Sequence, residues 1–396
     1  MPVDRNESIQ IMEPLRIGEG SHYRPELTEL AVELAAASAG LKSSLPEGVG
    51  AALATLVRSM NCYYSNLIEG HDTHPVDIER AMREDYSSDA RKRDLQLEAR
   101  AHVTVQRWID DGGLQNRAAT QEGVYEIHRR FGQLLPNDLL QVEDPNTGER
   151  IRVIPGQLRG RDVIVGRHVP ISPGALPRFI KRFESVYSQL GKAETILSAA
   201  AAHHRLLWIH PFLGGNGRVA RLMSYAMLRD SLDTGGIWSI ARGLARQEAT
   251  YTQHLIACDQ PRQGDTDGRG SRSEKALAEF TQFFLQTCLD QVAFMEKLVQ
   301  PKNLRERIRL WAEEEIRSGE LPPKADLILE AILYRGELPR GEVASIVTTG
   351  DRQARRIVSA LLQRGVITSE TSRTPLKIAF PASLAGRWMP SLFPEQ

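Results

Sequence analysis

Cysteine is scarce in this chain of 396 residues. There are three, Cys62, Cys258 and Cys288, odd in number and far apart. Their placement excludes a disulfide framework, and the lack of any CxxC pair excludes a cysteine zinc site; both point to a reduced cytoplasm. Net charge is also missing: Lys+Arg and Asp+Glu both number 50. Global charge therefore selects neither nucleic acid nor membrane, and any such partner must be met by a local patch. No apolar run approaches the ~18 residues of a membrane span. The opening MPVDRNESIQIMEPLRIGEG has neither the basic nor the apolar segment of a signal peptide, so no membrane partner is expected. Repeats and low-complexity tracts are absent too. What remains is ordinary globular composition, 41% hydrophobic and 25% charged, long enough for two or three domains.

Three regions separate along the chain. From about Glu26 to Gln115, Ala, Leu, Glu and Arg dominate, as in packed helices. Leu53, Leu56, Val57, Met60, Tyr64, Leu67 and Ile68 follow an amphipathic rhythm that Gly70 should stop. A second helical block, 120–302, is interrupted at DPNTGERIRVIPGQLRGRDVIVGRHVPISP. There Pro, Asn and Gly mark turns, and VIVG reads as a short β-hairpin or flap. SGELPPK suggests a linker, taken as 303–323. Beyond it, 324–396 runs helix (Asp326–Tyr334), short helix (Arg340–Val347), helix (Asp351–Gln363) and a two-stranded wing after Gly365. That is the order of a winged helix-turn-helix.

HPFLGGNGRVAR, beginning at His210, concentrates the chemistry. If a helix starts near Asn216, the amides of Gly214 to Arg218 are its unpaired donors, and its dipole favours an anion. The glycines let phosphate oxygens approach the backbone. Arg218 and Arg221, three residues apart, share one side of the first turn, away from the apolar Val219/Leu222 face. His210 stands where it can accept a proton, and Phe212 should anchor the loop in the core. GNGRVA also matches a dinucleotide fingerprint, but no strand precedes it and no βαβ unit follows. His203, His204 and His210 lack a carboxylate or Cys to complete a metal set, and His204 reads better as a core histidine. A merely structural turn needs neither the histidine nor two arginines together.

The stretch resembles the Fic signature HxFx[D/E]GNGRxxR, matching every fixed position except Gly214. His203, seven residues ahead of His210, fits the same pattern, and ARGLARQEATYTQHLIACDQ is similar to the family's adenosine-side region. The resemblance implies a mainly α fold: a Fic-type helical bundle with a short β-hairpin flap, here flanked by an N-terminal helical region (1–119) and the winged helix. It implies transfer of AMP from ATP to a protein hydroxyl, with ATP as substrate and His210 as general base. ATP would occupy Gly214, Gly215, Asn216, Gly217, Arg218, Val219, Ala220 and Arg221, with Tyr251 and Asp259 near the base. The amides of Gly215 to Gly217 and the Asn216 side chain would hold the α-phosphate, and Arg218 and Arg221 the outer phosphates. Asp162, Val163, Ile164, Val165 and Gly166 resemble the flap that docks a target segment.

SNLIEG, Ser65 to Gly70, matches the family's inhibitory pattern [S/T]xxxE[G/N]. Ser65 and Glu69 are four apart, on one helix face, and the resemblance pairs Glu69 with Arg221, blocking the γ-phosphate. In some Fic proteins this glutamate also supports removal of AMP, so de-AMPylation stays open.

The departure is Gly214, where most active members carry the acid that holds Mg²⁺. No protein ligand for a metal is expected; Mg²⁺ would arrive on the ATP phosphates. A metal supplies several kcal/mol of charge stabilisation in such chemistry, so nucleotide binding is a firmer expectation than turnover, and other phosphoryl transfer stays open. In the C-terminal region, Arg352, Arg355, Arg356, Arg373 and Lys377 are candidates for DNA. With ten basic and seven acidic side chains from Lys324 to Gln396, the excess supports modest DNA binding at best. Packing on the core or homodimerisation is as good a reading. The target protein is open and could be the chain itself. A nucleotide-binding regulator with little or no transferase activity is the alternative reading of the whole.

Overall fold

The computed structural model describes residues 2–144 and 147–394; Pro145 and Asn146 of the expected turn lie outside them. The N-terminal region folds as α1 (Arg24–Ser43), α2 (Glu47–Ile68), α3 (Pro75–Met82) and α4 (Ala90–Asp110). Ahead of α1, Asp4, Glu7 and Glu13 anchor an extended segment on Arg178 and Arg182. The central bundle begins with α5 (Gln121–Gln133). The hairpin of β1 (Gln141–Glu143) and β2 (Arg150–Arg152) comes next, then the flap. α6 (Leu176–Tyr187), α7 (Lys192–Ile209), α8 (Asn216–Leu232), α9 (Ala241–Arg246), α10 (Glu248–Cys258) and α11 (Glu274–Val299) complete it. The chain is mainly helical, as expected.

The apolar stripe of α2 is buried from Leu53 to Tyr64. Gly70, at φ +79°, ends the helix: its N–H reaches Leu67 O and that of His71 reaches Asn66 O, both at 2.9 Å. This pair of bonds is a Schellman cap, which fixes Glu69 as the last residue of the turn. Alanines 199–202, all buried, let α7 run through the middle of the bundle against α8 and α11.

α12 (Pro301–Arg317) overturns most of the expected linker at 303–323. Leu304, Ile308, Trp311 and Ala312 are buried, and the Trp311 ring meets Trp388 edge-on at 5.0 Å. The partner lies 77 residues on, so a local reading of charges and turns could not reveal it. α13 (Ala325–Arg335), β3 (Glu337–Leu338), α14 (Val343–Ile346), α15 (Asp351–Gln363), β4 (Ile367–Thr368), β5 (Leu376–Ile378) and α16 (Ala385–Trp388) follow. Besides the two expected strands there is a third, β3, too short to show alternation; the antiparallel sheet order is β3-β5-β4. β5 and the tail after it pack on α2, where Tyr64 Oη donates to Leu392 O at 3.1 Å. The regular hairpin of the bundle also differs from the expected VIVG, lying earlier at 141–152; VIVG makes only a single bridge, Val165 to His168. Among the described residues no helix is long and apolar enough to cross a membrane.

Candidate active site

α7 ends where His210 enters the left-handed region (φ 50°, ψ 63°), and Gly215 (φ +80°) repeats the reversal just before α8 starts at Asn216. Left-handed backbone is uncommon for a residue with a side chain. The two reversals fold the chain back so that the free amides of α8 open beside His210. The loop is held from behind. Phe212 is fully buried, its ring stacked on His128 at 3.9 Å and 4°. Gly156 N–H donates to His128 Nδ1 (2.8 Å), which leaves the ring proton on Nε2 to donate to the Gly214 carbonyl at 3.1 Å. Asn216 qualifies an expectation: its amide bonds the Phe212 backbone, accepting from N at 3.0 Å and donating to O at 2.9 Å. Asn216 thus closes a four-residue turn with the oxygen and one donor of its side chain, and one amide N–H is left over. Its backbone N–H stays at the helix mouth.

In front of the loop is a cleft of about 1100 Å³, lined by the flap, α7, α10 and the end of α2, with His210, Gly217, Arg221, Glu69, Tyr251 and Asp259 on its walls. Burial, then the charge of Arg159, pushes His210 down to about 4. At neutral pH the ring is uncharged and able to take a proton. Val219 and Ala220 face the core, 3% and 0% exposed, so their side chains line no phosphate site. Tyr251 is buried, its hydroxyl 2.6 Å from His203 Nε2, and offers the cleft only ring surface. Asp259 Oδ1 lies 3.1 Å from His204 Nε2. Arg205 donates to His204 Nδ1, so His204 is a bonded core histidine, as expected. Among the described residues no group of three His, Cys, Asp or Glu could hold a metal.

The two arginines do not share a solvent side, because α2, α4 and α5 cover the first turn of α8. Arg221 reaches α2: Nε donates to Ser65 Oγ (2.8 Å), and Nη2 to Ser65 O (3.1 Å) and Glu69 Oε1 (2.5 Å). Burial alone would raise the Glu69 carboxyl, but Arg221 outweighs it and holds it below its ordinary value. The carboxylate lies so close over Gly217 that a Cβ there would collide with it. Arg218 turns the other way, over the Phe131 ring (4.7 Å) and toward Glu98 (3.6 Å), and Nε and Nη1 have no hydrogen-bond partner. Glu98 is held in turn by His71 at 2.6 Å. Gly214 faces away from the cleft; a Cβ there would lie 3.1 Å from Val142 Cγ1 and 3.5 Å from Val153 Cγ2 of the hairpin region. The residues therefore do not fit a metal held by the protein at this position.

In the flap, Asp162 pairs with Arg5, Gly166 takes φ +59°, and Ile164 is 65% exposed. Ile164 and its exposed neighbours Val165 and Gly166 leave an open edge, with Val163 half-buried behind them. Three residues escaped sequence reasoning: His128, Glu98 and Arg159. His128 had a signal, since it sits on the apolar stripe Val124, Ile127, Phe131 of α5; the other two had none.

The profile of the Fic/DOC family matches residues 119–228. The chain is 30% identical over 168 residues to the protein adenylyltransferase Fic of Drosophila grimshawi, covering 42% of this chain and 32% of that protein. To the corresponding protein of Drosophila willistoni it is 31% identical over 170 residues, covering 42% and 31%. The matched chain thus spans about a third of the length of these relatives. The fold is similar to that of a Fic family protein from Desulfovibrio desulfuricans G20, with a TM-score of 0.53 at 13% identity, over 92% of this chain and 98% of that one. Residues 119–228 of this chain are thus similar in sequence to the Fic/DOC family, and the chain as a whole has a fold similar to that of a Fic family protein.

Proposed function

We propose that the chain is a protein adenylyltransferase restrained by Glu69. The observation that carries this reading is a carboxylate seated on Arg221 at the mouth of α8, in a cleft that also holds His210. An anion already occupies the place best suited to a phosphate. In the reaction, a target hydroxyl attacks the α-phosphorus of ATP and gives its proton to the His210 ring. The bond from the α-phosphorus to the bridging oxygen breaks, and pyrophosphate leaves. Attack at phosphorus needs positioning and charge stabilisation rather than covalent help, and helix amides and Arg221 are the groups available. No step is assigned to a metal held by the protein. The exposed flap edge suits an extended target segment. The names of the curated relatives support the reaction class, and the helix amides and Arg221 beside His210 suit ATP as the substrate.

Glu69→Gly is expected to raise incorporation of label from ATP labelled at the α-phosphate by about 10- to 100-fold, the worth of one buried charged hydrogen bond. Adding His210→Ala should abolish it. Equal labelling of wild type and Glu69→Gly would remove the restraint from the reading.

The second reading is a nucleotide-binding regulator with little transfer, and Gly214 favours it. Arg352, Arg355 and Arg356 are exposed along α15 with no ion pair among the described residues, as a winged helix on a DNA backbone would have them. A salt-sensitive DNA shift without labelling of any protein would select it. Loss of AMP from a modified target on adding the wild-type chain would select de-AMPylation.

A further inference from the structure

Arg159 is 2% exposed and has no carboxylate partner among the described residues. Burial lowers it to about 10, so it stays charged at neutral pH. A buried cation of this kind persists only when its donors are satisfied. Nε donates to the carbonyl of His210 at 2.8 Å, Nη1 to Arg161 O at 2.8 Å and Nη2 to Ile171 O at 2.5 Å. Its own N–H donates to Pro211 O at 2.9 Å. One guanidinium therefore joins the two ends of the flap, 161 and 171, to the backbone of His210, the left-handed residue of the catalytic loop. Lysine, with a single nitrogen, cannot span the same three carbonyls in one plane. His168 adds a second tie from flap to α7, 2.8 Å from Trp208 O.

We infer that Arg159 is a positioning residue that fixes the His210 peptide in its left-handed turn and makes the flap and the general base a single unit. Docking a target on the flap is then read at His210 through a single side chain, that of Arg159. The inference rests on the proposed role of His210 as base, and its test separates the two.

The measurements use Arg159→Met and Arg159→Lys in the full chain carrying Glu69→Gly. Loss of the bonds should lower kcat for AMP transfer by about 10- to 100-fold, the cost of a small misplacement, with KM for ATP changed less than about twofold. Besides burial, the His210 ring is influenced by the charge of Arg159, a bond to the Leu207 backbone, and the nearby His168 and Glu69. Removing the Arg159 cation should move the acid limb of the pH profile upward in Arg159→Met and leave it in place in Arg159→Lys. NMR titration of the His210 ring reads the same shift without any turnover. Should Glu69→Gly itself transfer nothing while the ring still titrates higher in Arg159→Met, the functional reading fails and the positioning role stands. Unchanged kcat together with unchanged His210 titration in folded Arg159→Met overturns the role. Should that variant not fold, Arg159→Lys decides: lowered kcat at the old pH limb supports the role, and full activity overturns it.

Discussion

The glycine-rich loop has two faces, and they are built differently. Toward the cleft stand His210, Gly217 and Arg221, all with atoms or space that answer to an anion, and an anion from α2 already answers. Toward the hairpin stand Phe212, Asn216 and Gly214, each closed by an aromatic stack, a reciprocal amide bond or two valines. The same dozen residues are half site and half core. The motif's residue types alone do not say which half each belongs to, and Asn216 is the instructive case: a polar side chain in a polar motif, with its oxygen and one N–H tied to the fold.

The comparison can be broken from either face. The largest effect is expected at Phe212, where Phe212→Ala should cost about 3–5 kcal/mol of stability in denaturant unfolding. A loss below about 1 kcal/mol would mean that the rear face is not core. Next is Gly214→Asp. Its Cβ must push against Val142, with Val153 already in contact behind, so a loss of about 1–3 kcal/mol is expected, with no gain in Mg²⁺-dependent labelling in the Glu69→Gly background. A clear gain would show that the hairpin yields and that position 214 belongs to the cleft after all. The smallest effect concerns pH. Glu69 is held below its ordinary value, so its restraint is complete above that range and is lost only as pH falls through the lowered value. The activity ratio of Glu69→Gly to wild type should stay constant from pH 6 to 8; a severalfold drift would place another titrating group in the restraint.

Much of this was legible in sequence because it is local. The helix start at Asn216, the burial of Phe212 and the shared face of Ser65 and Glu69 all depend on residues within a few positions of one another. The directions of Arg218 and Arg221 were not legible, since helices 80 to 160 residues upstream decide them. Nor was α12, whose Trp311 is covered by Trp388. Arg159 was invisible for the same reason: its partners are carbonyls, which every residue carries.

The Schellman cap at Gly70 sets an angular tolerance. Ser65 and Glu69 both meet Arg221 because four residues bring a helix round by about 400°, some 40° from where it began. One residue inserted between them would swing the carboxylate by about 100°, off the guanidinium, while leaving Ser65 in place. Whatever Glu69 restrains is thus held by helical phase. A shift of register, with no change in composition, is enough to release it.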